Sequence, residues 1–373
     1  MGNLVIVQPY LPSYRKPFFE AVVGRLAEEG HTCFLVTGVL DKQRSARGDS
    51  LSGPDWHIER KTVSFRLLGR HFRSYGSRRY WKDADAVVLE AAVGSLDTAI
   101  ATFFNSKRHG VGVWGHLGSY TGTENKIVNW LALRQLRKSD LVFAYTDQGR
   151  TSAIKRGVSA EKILALENTV DVQNLLAEMD AVSSVRFVGT EKFDPRMTLS
   201  YIGGIDTSKR IEFLIQTLDI LWQRNPSIKL LVGGSGPLTS LFEPAVRRGQ
   251  VVMLGRVGDV EKAQMSRQSV GLLLPGRVGL VVVESFVLGL PIITTDWPLH
   301  APEFAYLSPG VDCVVSQNSV EGYSAAIESY LSDEERMISI SAAARRKSGW
   351  PSMEHMVDTF VSGCKLLLKS KSF

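Results

Sequence analysis

The sequence predicts an α/β protein made of two successive doubly wound parallel-sheet units. Three observations carry this: a repeated strand-then-helix rhythm, a break in that rhythm near mid-chain, and a length that suits two domains. The 373 residues compare with roughly 100–200 per domain. A hydrophobic content of 44% with 22% charged residues is that of a globular chain able to build two cores.

Short β-branched runs mark the strands of the first half: Leu4–Val7, Phe34–Thr37, Ala86–Leu89, Val111–Trp114 and Leu141–Ala144. Helical patterns lie between them. One opens at Pro17 and closes at Gly30, with proline just inside the start and glycine just past the end. Another runs from about Asn125 to Lys138. The rhythm fades from Val172 to Pro195 and restarts with Thr198–Ile202, Lys229–Val232, Val251–Leu254, Val270–Leu274 and Ile292–Thr295. Helical sequence fills Ser319 to Lys369. Strands alternating with helices imply parallel sheets. Two such units imply a cleft between them, with ligands at the carboxyl ends of the strands.

The net charge of +6 suits an anionic partner, whether nucleotide, phospholipid surface or nucleic acid. Cys33, Cys313 and Cys364 are widely spaced and have no metal-ligand spacing, which fits a reducing cytosol. Met1–Tyr10 reads as a first strand rather than a signal peptide. The apolar stretch Val270–Thr295 is broken by Arg277, Glu284, Pro275 and Pro291, and reads as buried strand, helix and strand.

Chemistry concentrates in the second half. In Tyr201-Ile-Gly-Gly-Ile-Asp-Thr-Ser-Lys209 a strand runs into two glycines, and a lysine follows at a helix start, where it can reach a phosphate. On its own, that segment is better explained as a plain turn with a surface lysine. Leu231-Val-Gly-Gly-Ser-Gly-Pro237 is similar to a phosphate-binding turn but does not complete G-x-G-x-x-G, and tight helix–strand packing explains it too. Leu274-Pro-Gly-Arg-Val-Gly-Leu-Val-Val-Val-Glu284 places a helix start near Gly279–Val281, aiming free N–H groups at an anion. Glu284 falls inside the apolar face of that helix and needs a partner, either a ligand hydroxyl or nearby Arg277, unless it is a capping or structural carboxylate.

With Met253-Leu-Gly-Arg-Val-Gly-Asp259, these segments make Leu199–Thr295 resemble the donor-binding domain of glycosyltransferase family 4. These are retaining enzymes of the GT-B fold, here of the bacterial polysaccharide-assembly type. The resemblance continues through Trp114-Gly-His116, Ala144-Tyr-Thr and Glu167-Asn-Thr-Val-Asp171, and Gln8-Pro-Tyr-Leu-Pro-Ser-Tyr-Arg-Lys-Pro-Phe-Phe resembles the first turn of such members. It implies two Rossmann-like domains facing each other across a cleft: residues 1–171 for the acceptor, 172–352 for the nucleotide-sugar donor, and a last helix, 353–373, packing back on the first.

The resemblance further implies roles. Lys209 would grip the donor diphosphate beside Gly203 and Gly204, with the backbone of Gly279, Leu280 and Val281 as the diphosphate loop. Glu284 would hold the ribose, and Gly255, Arg256 and Val257 would frame the base. His116 would stand near the reacting carbon, with Tyr14 and Arg15 beside it on the acceptor side. His116, Lys209 and Glu284 are thus the catalytic candidates, though a structural histidine in a glycine-rich turn also explains His116. Two positions depart from the family: Gly204 stands where an arginine is usual, and Gly276 where a glutamate is usual. Arg277 would replace the missing positive charge.

The expected reaction is sugar transfer from a nucleoside diphosphate to a hydroxyl of a saccharide or lipid-linked acceptor, in cell-surface polysaccharide or glycolipid synthesis. Lys209, Arg277 and the helix start would stabilise the leaving phosphate, with no metal and no cofactor. Asp83-Ala-Asp85 reads as the polar edge of a strand. Between Arg60 and Lys82, five arginines interleave with five aromatic residues and no acidic one. That suits peripheral contact with an anionic membrane at the inner face of the cell; nucleic acid or a solvated basic helix face would explain it as well, but no nucleic-acid module is recognisable. A nucleotide-sugar epimerase would use the same donor cradle. A non-catalytic GT-B protein that binds a nucleotide sugar or a partner transferase is the alternative that Gly204 and Gly276 keep open.

Overall fold

Strands that are apolar on both faces can be buried only where helices cover both sides of a sheet. The runs above become the inner strands of two such sheets, except Val251–Leu254, which forms an edge. The computed structural model describes residues 1–39, 54–67, 70–104, 109–117, 126–181, 187–191 and 193–370. The chain divides into two units, Met1–Asp171 with Ser352–Phe373, and Val172–Pro351.

The first unit holds β1 (Asn3–Gln8), β2 (Thr32–Gly38), β3 (His57–Arg60), β6 (Ala86–Glu90), β7 (Gly110–Gly115), β8 (Leu141–Ala144) and β9 (Ile163–Ala165). They form one parallel sheet in the order β3-β2-β1-β6-β7-β8-β9. The chain leaves β1 to one side and returns to the other at β6, so the strand order reverses between them. The helix Lys16–Glu28 has Pro17 in its first turn and buries Phe18, Phe19, Val22 and Leu26, one face at helical spacing. The helix Met353–Lys369, capped by Ser352, brings Met356, Phe360, Cys364 and Leu367 into the same core. Gly363 permits this close contact, because a Cβ there would lie 2.4 Å from a ring carbon of Phe143.

The second unit holds β10 (Thr198–Ile202), β11 (Lys229–Gly233), β12 (Val251–Gly255), β13 (Leu272–Leu273), β14 (Ile292–Thr295) and β15 (Cys313–Ser316). Their order is β12-β11-β10-β13-β14-β15, again all parallel. Here the reversal falls between β10 and β13.

The structure changes several expectations. The run Val270–Leu274 shortens to the two residues of β13. The edge strands β3, β9 and β15 were not foreseen, since runs of three or four residues are too short to carry a readable period. Within the strandless stretch Val172–Pro195 lies the helix Gln173–Ala181, while residues 182–186 and 192 lie outside the described residues. The basic segment Arg60–Lys82 is not one helix face. It contains an antiparallel hairpin, β4 (Val63–Leu67) and β5 (Arg70–Ser74), and only a short helix, Arg78–Trp81. Alternation of Val63, Ser64, Phe65 and Arg66 has period two, which a strand accommodates and a helix does not. Phe65 faces Phe72 across the hairpin, with ring centroids 5.6 Å apart. Among the described residues no helix is long and apolar enough to cross a membrane.

Candidate functional site

In an open parallel sheet the crevice for a ligand lies where the strand order reverses, beyond the carboxyl ends of the strands. In the second unit those ends are Ile202 of β10 and Leu273 of β13. Gly203–Lys209 follows the first, and Pro275–Val281 follows the second. The two motifs, about seventy residues apart in sequence, are therefore neighbours because β10 and β13 pair.

They touch through backbone. The Lys209 ammonium donates to the carbonyl of Arg277 at 2.6 Å, and the Arg277 N–H donates to Ser208 at 2.9 Å. Gly276 sits so close to this turn that a Cβ would lie 2.4 Å from the carbonyl carbon of Lys209. Arg277 is half-buried, and its guanidinium makes no hydrogen bond or ion pair with a described residue. Gly204 is exposed, with only the Asp206 carboxylate, 3.5 Å away, near its missing Cβ. The two departures from the family pattern thus have different physical settings: Gly276 is a packing requirement, whereas Gly204 leaves space.

Arg210, next to Lys209, adopts a left-handed conformation with φ of 55°, a strain of ~1–3 kcal/mol for a non-glycine residue. Its guanidinium donates to the Pro275 carbonyl at 3.1 Å and to the Thr295 hydroxyl at 3.3 Å, and lies over the Phe213 ring at 4.0 Å. Arg210 was not foreseen as a site residue, because its part is to tie three strand ends together, and nothing in its own sequence neighbourhood shows that.

The glycine turn after β11 packs against the turn after β10. A Cβ on Gly234 would lie 2.0 Å from the Gly203 oxygen, and one on Gly236 would lie 2.2 Å from the Ile205 oxygen. Gly203 itself has φ of 149°. This turn serves close backbone packing. Gly255 ends β12 at φ 69° and is exposed, its carbonyl accepting from Gly234 at 2.6 Å. The Arg256 guanidinium donates to Ser235 at 3.2 Å. Val257 fills the space that Gly233 leaves, 2.7 Å from where a Cβ would stand. Gly255–Val257 therefore lies against the β11 turn.

The helix Val281–Leu288 begins just after Gly279 and Leu280. Its first-turn amides have no partner within the helix, so Gly279, Leu280 and Val281 present donors at its positive end. Glu284 is 21% exposed, and its partner is Lys262, not Arg277: the ammonium donates to one carboxylate oxygen at 2.7 Å. Lys262 lies on the helix Asp259–Gln268, which packs beside Val281–Leu288. Its flexible stem spans the gap that adjacency in sequence would have given to Arg277. Burial opposes the charge on Lys262, but Glu284 and then Asp259 hold it protonated above its ordinary value.

His300 is a second residue that sequence reasoning missed. It is 5% exposed, accepts from the Val278 N–H at 3.2 Å through Nδ1, and places Nε2 2.9 Å from the Thr295 carbonyl. Burial, with the nearby charges of Lys209 and Arg210, lowers its pKa below the ordinary 6.5. Its only sequence signal is a lone histidine between Pro298 and Pro302.

In the first unit, His116 follows β7 and is exposed, with its ring centroid 4.4 Å from that of Tyr145. Arg15 is 5% exposed, and its guanidinium lies 5.5 Å over Tyr14, 5.4 Å over Trp114 and 5.9 Å over Tyr145. The same guanidinium donates to the Asn168 side chain. The structure thus brings Arg15 and His116 to Tyr145, with Arg15 serving as an internal tie that also lies over Tyr14. The Trp114 indole N–H is buried there without a partner among the described residues. His116 belongs to the first unit, and Lys209 and Glu284 to the second.

Residues 196–333 match the family model described as glycosyl transferases group 1. Among solved structures, Anabaena HepE in complex with UDP superposes with a TM-score of 0.67 at 14% identity, covering 98% of this chain and 100% of that one. The pneumococcal O-GlcNAc transferase GtfA in complex with UDP and GlcNAc gives 0.64 at 11% identity, covering 98% and 99%. The lipopolysaccharide outer core galactosyltransferase WaaB gives 0.61 at 15% identity, covering 96% and 99%. The fold is GT-B, with two Rossmann-like domains. No curated protein sequence matches the chain. The domain match and the fold support a glycosyltransferase.

Proposed function

We propose that this chain is a retaining glycosyltransferase that moves a sugar from a nucleoside diphosphate to a hydroxyl of a saccharide or lipid-linked acceptor, in cell-surface polysaccharide or glycolipid synthesis. One observation carries the donor side: Lys209 and Arg277 meet at the strand-order reversal, two residues before the amides of Gly279–Val281. Two cations and a helix N-terminus brought together by two adjacent strand ends suit a diphosphate. As the bond from the anomeric carbon to the diphosphate breaks, negative charge grows on the leaving phosphate, and these groups stabilise it in place of a metal ion. Retention of configuration rests on the family resemblance. UDP is the first nucleotide to try, because HepE and GtfA were solved with it.

Glu284 supplies the ribose contact in this reading. Lys262 occupies one of its oxygens, which leaves the other for a ribose hydroxyl. Gly255, Arg256 and Val257 frame the base. Tyr14 and His116, with Tyr145, form an aromatic face for the acceptor.

The hairpin β4–β5 gives the acceptor side a route to lipid. Val63 and Phe65 are 62% and 45% exposed, and Arg66 is exposed beside them, a basic and apolar surface that suits an anionic bilayer edge from the cytoplasmic side. Co-sedimentation with phosphatidylglycerol vesicles but not phosphatidylcholine vesicles, lost in Phe65→Ser with Arg66→Ser, is the expected result. Equal pelleting of parent and variant would remove the membrane from the proposal.

The deciding experiment measures melting temperature with UDP, GDP, CDP, ADP and dTDP, and repeats the best case in Lys209→Ala. Ligand at a hundredfold excess over Kd stabilises by ~2.7 kcal/mol, a rise of about 3 °C if the chain unfolds as one and more if the second unit unfolds alone. A shift with one nucleotide that Lys209→Ala abolishes supports the donor site. No shift with any of the five would sink it.

A further inference from the structure

We propose that the His300 imidazole is a strut that positions the Gly276–Val281 loop for the donor diphosphate, and that protonation of His300 releases the loop. This rests on the reading of that loop as the diphosphate site.

Val278, fully buried, is held on both sides. Its N–H donates to His300 Nδ1 at 3.2 Å, and its carbonyl accepts from the Ala301 N–H at 2.9 Å. The Thr295 carbonyl can only accept, so Nε2, 2.9 Å away, carries the proton. Nδ1 must then offer its lone pair, as the Val278 N–H requires. Both contacts are satisfied by one species, the neutral Nε2–H tautomer. The ring cannot turn to find another arrangement. It stacks on Phe304 with centroids 4.2 Å apart and planes 8° apart, and Trp297 meets it edge-on at 5.9 Å.

A second proton would go onto Nδ1 and set two N–H groups against each other. The bond to Val278 would break, and the loop that carries Arg277 and Gly279–Val281 would lose its anchor. Burial and the positive charges of Lys209 and Arg210 oppose that proton, while the carbonyls of Thr295 and Gly276 favour it. Glu303, on the short helix Pro302–Tyr306 that follows, is the acidic residue nearest in sequence to His300 on its far side, and it is buried. His300 touches no substrate in this scheme and is a positioning residue.

Two substitutions separate its contacts. In His300→Asn the amide oxygen replaces Nδ1 as the acceptor for Val278 and does not titrate. In His300→Gln the longer amide replaces the Nε2–H donor and leaves Val278 without an acceptor. Affinity for the nucleoside diphosphate that stabilises the parent chain most is measured by calorimetry for all three proteins at pH 8 and at a pH below the midpoint of the His300 titration, which the imidazole C–H resonances of the parent report. The ligand's own ionisation is common to all three and cancels in the comparison. At pH 8 His300→Asn should bind within about twofold of the parent, and His300→Gln about tenfold more weakly, the equivalent of one lost hydrogen bond. At the lower pH the parent should fall below His300→Asn. Melting temperature in the absence of ligand checks that each variant is folded. Equal binding by both variants at both pH values, or the same pH dependence in parent and His300→Asn, would overturn the strut. Absence of binding by the parent to any of the five nucleotides would overturn the donor site itself, and the strut with it.

Discussion

A Cβ on Gly276 would lie 2.4 Å from the carbonyl carbon of Lys209. The turn bearing the lysine and the loop bearing the helix start are in backbone contact there, so the position has no room for the glutamate that the family resemblance implies. In the proposed reading the donor sugar is held by other groups.

Gly276→Ala should push the Lys209 turn away and destabilise the second unit by ~1–3 kcal/mol, as overpacking does, with loss of nucleotide-induced stabilisation. Gly204→Arg starts from a Cβ that meets only the Asp206 carboxylate, at 3.5 Å. It should leave stability unchanged and tighten nucleotide binding. Urea unfolding and calorimetry on the two variants check the contrast, and equal destabilisation would refute it.

Arg277→Ala removes a guanidinium that ties to no described residue. Stability should stay within ~0.5 kcal/mol. Nucleotide affinity should drop about tenfold, the scale of a charge-assisted contact. Unchanged affinity would show that Lys209 and the helix start suffice.

Lys262→Met leaves Glu284, 21% exposed, with no cation. Removal of one partner of a largely buried pair is expected to cost ~3 kcal/mol. Lys262→Met with Glu284→Gln should recover part of that loss in urea unfolding. In the single variant, preference for ribonucleotide over 2′-deoxyribonucleotide should shrink, because the carboxylate is no longer aimed.

Arg73 and Glu90 form the corresponding pair in the first unit. Arg73 donates to both carboxylate oxygens, through Nε at 2.9 Å and through Nη2, and Tyr75 adds its hydroxyl at 3.0 Å. Burial opposes the Arg73 charge, and Glu90 more than restores it. Arg73→Ala should lower stability by ~3–5 kcal/mol and free the hairpin from the sheet end. Limited proteolysis at the hairpin, faster in the variant than in the parent, is the expected sign.

Burial lowers the pKa of His57 as well as that of His300. The unfolded chain, with imidazoles near 6.5, then binds protons that the folded chain refuses. This stabilisation is complete above pH 6.5 and is lost as pH falls through the lower folded values. The slope of unfolding free energy against pH between 7 and 5 should flatten in His57→Asn with His300→Asn. An identical slope in parent and double variant would assign the acid loss to other groups.

Local composition was enough for the two parallel-sheet units. Runs such as Leu4–Val7 and Leu230–Val232 are apolar on both faces, and that pattern has one outcome when helices alternate with it. Lys209 and Arg277 were singled out by the family resemblance of their segments, since the local pattern by itself fits a plain turn, while the Gly279–Val281 helix start is readable locally because a strand end, a glycine turn and a helix form a contiguous segment. Pairings across the chain were not readable. Lys262 with Glu284, Arg73 with Glu90 and His300 with Val278 each join residues from different elements, and a side chain's partner depends on which strands lie side by side. The hairpin β4–β5 needed its partner strand too, since Phe65 has a reason to alternate only when Phe72 faces it. Gly276 shows the same division within one residue: in sequence it is a missing carboxylate, and in the fold it is the contact that lets β10 and β13 bring the lysine and the loop together.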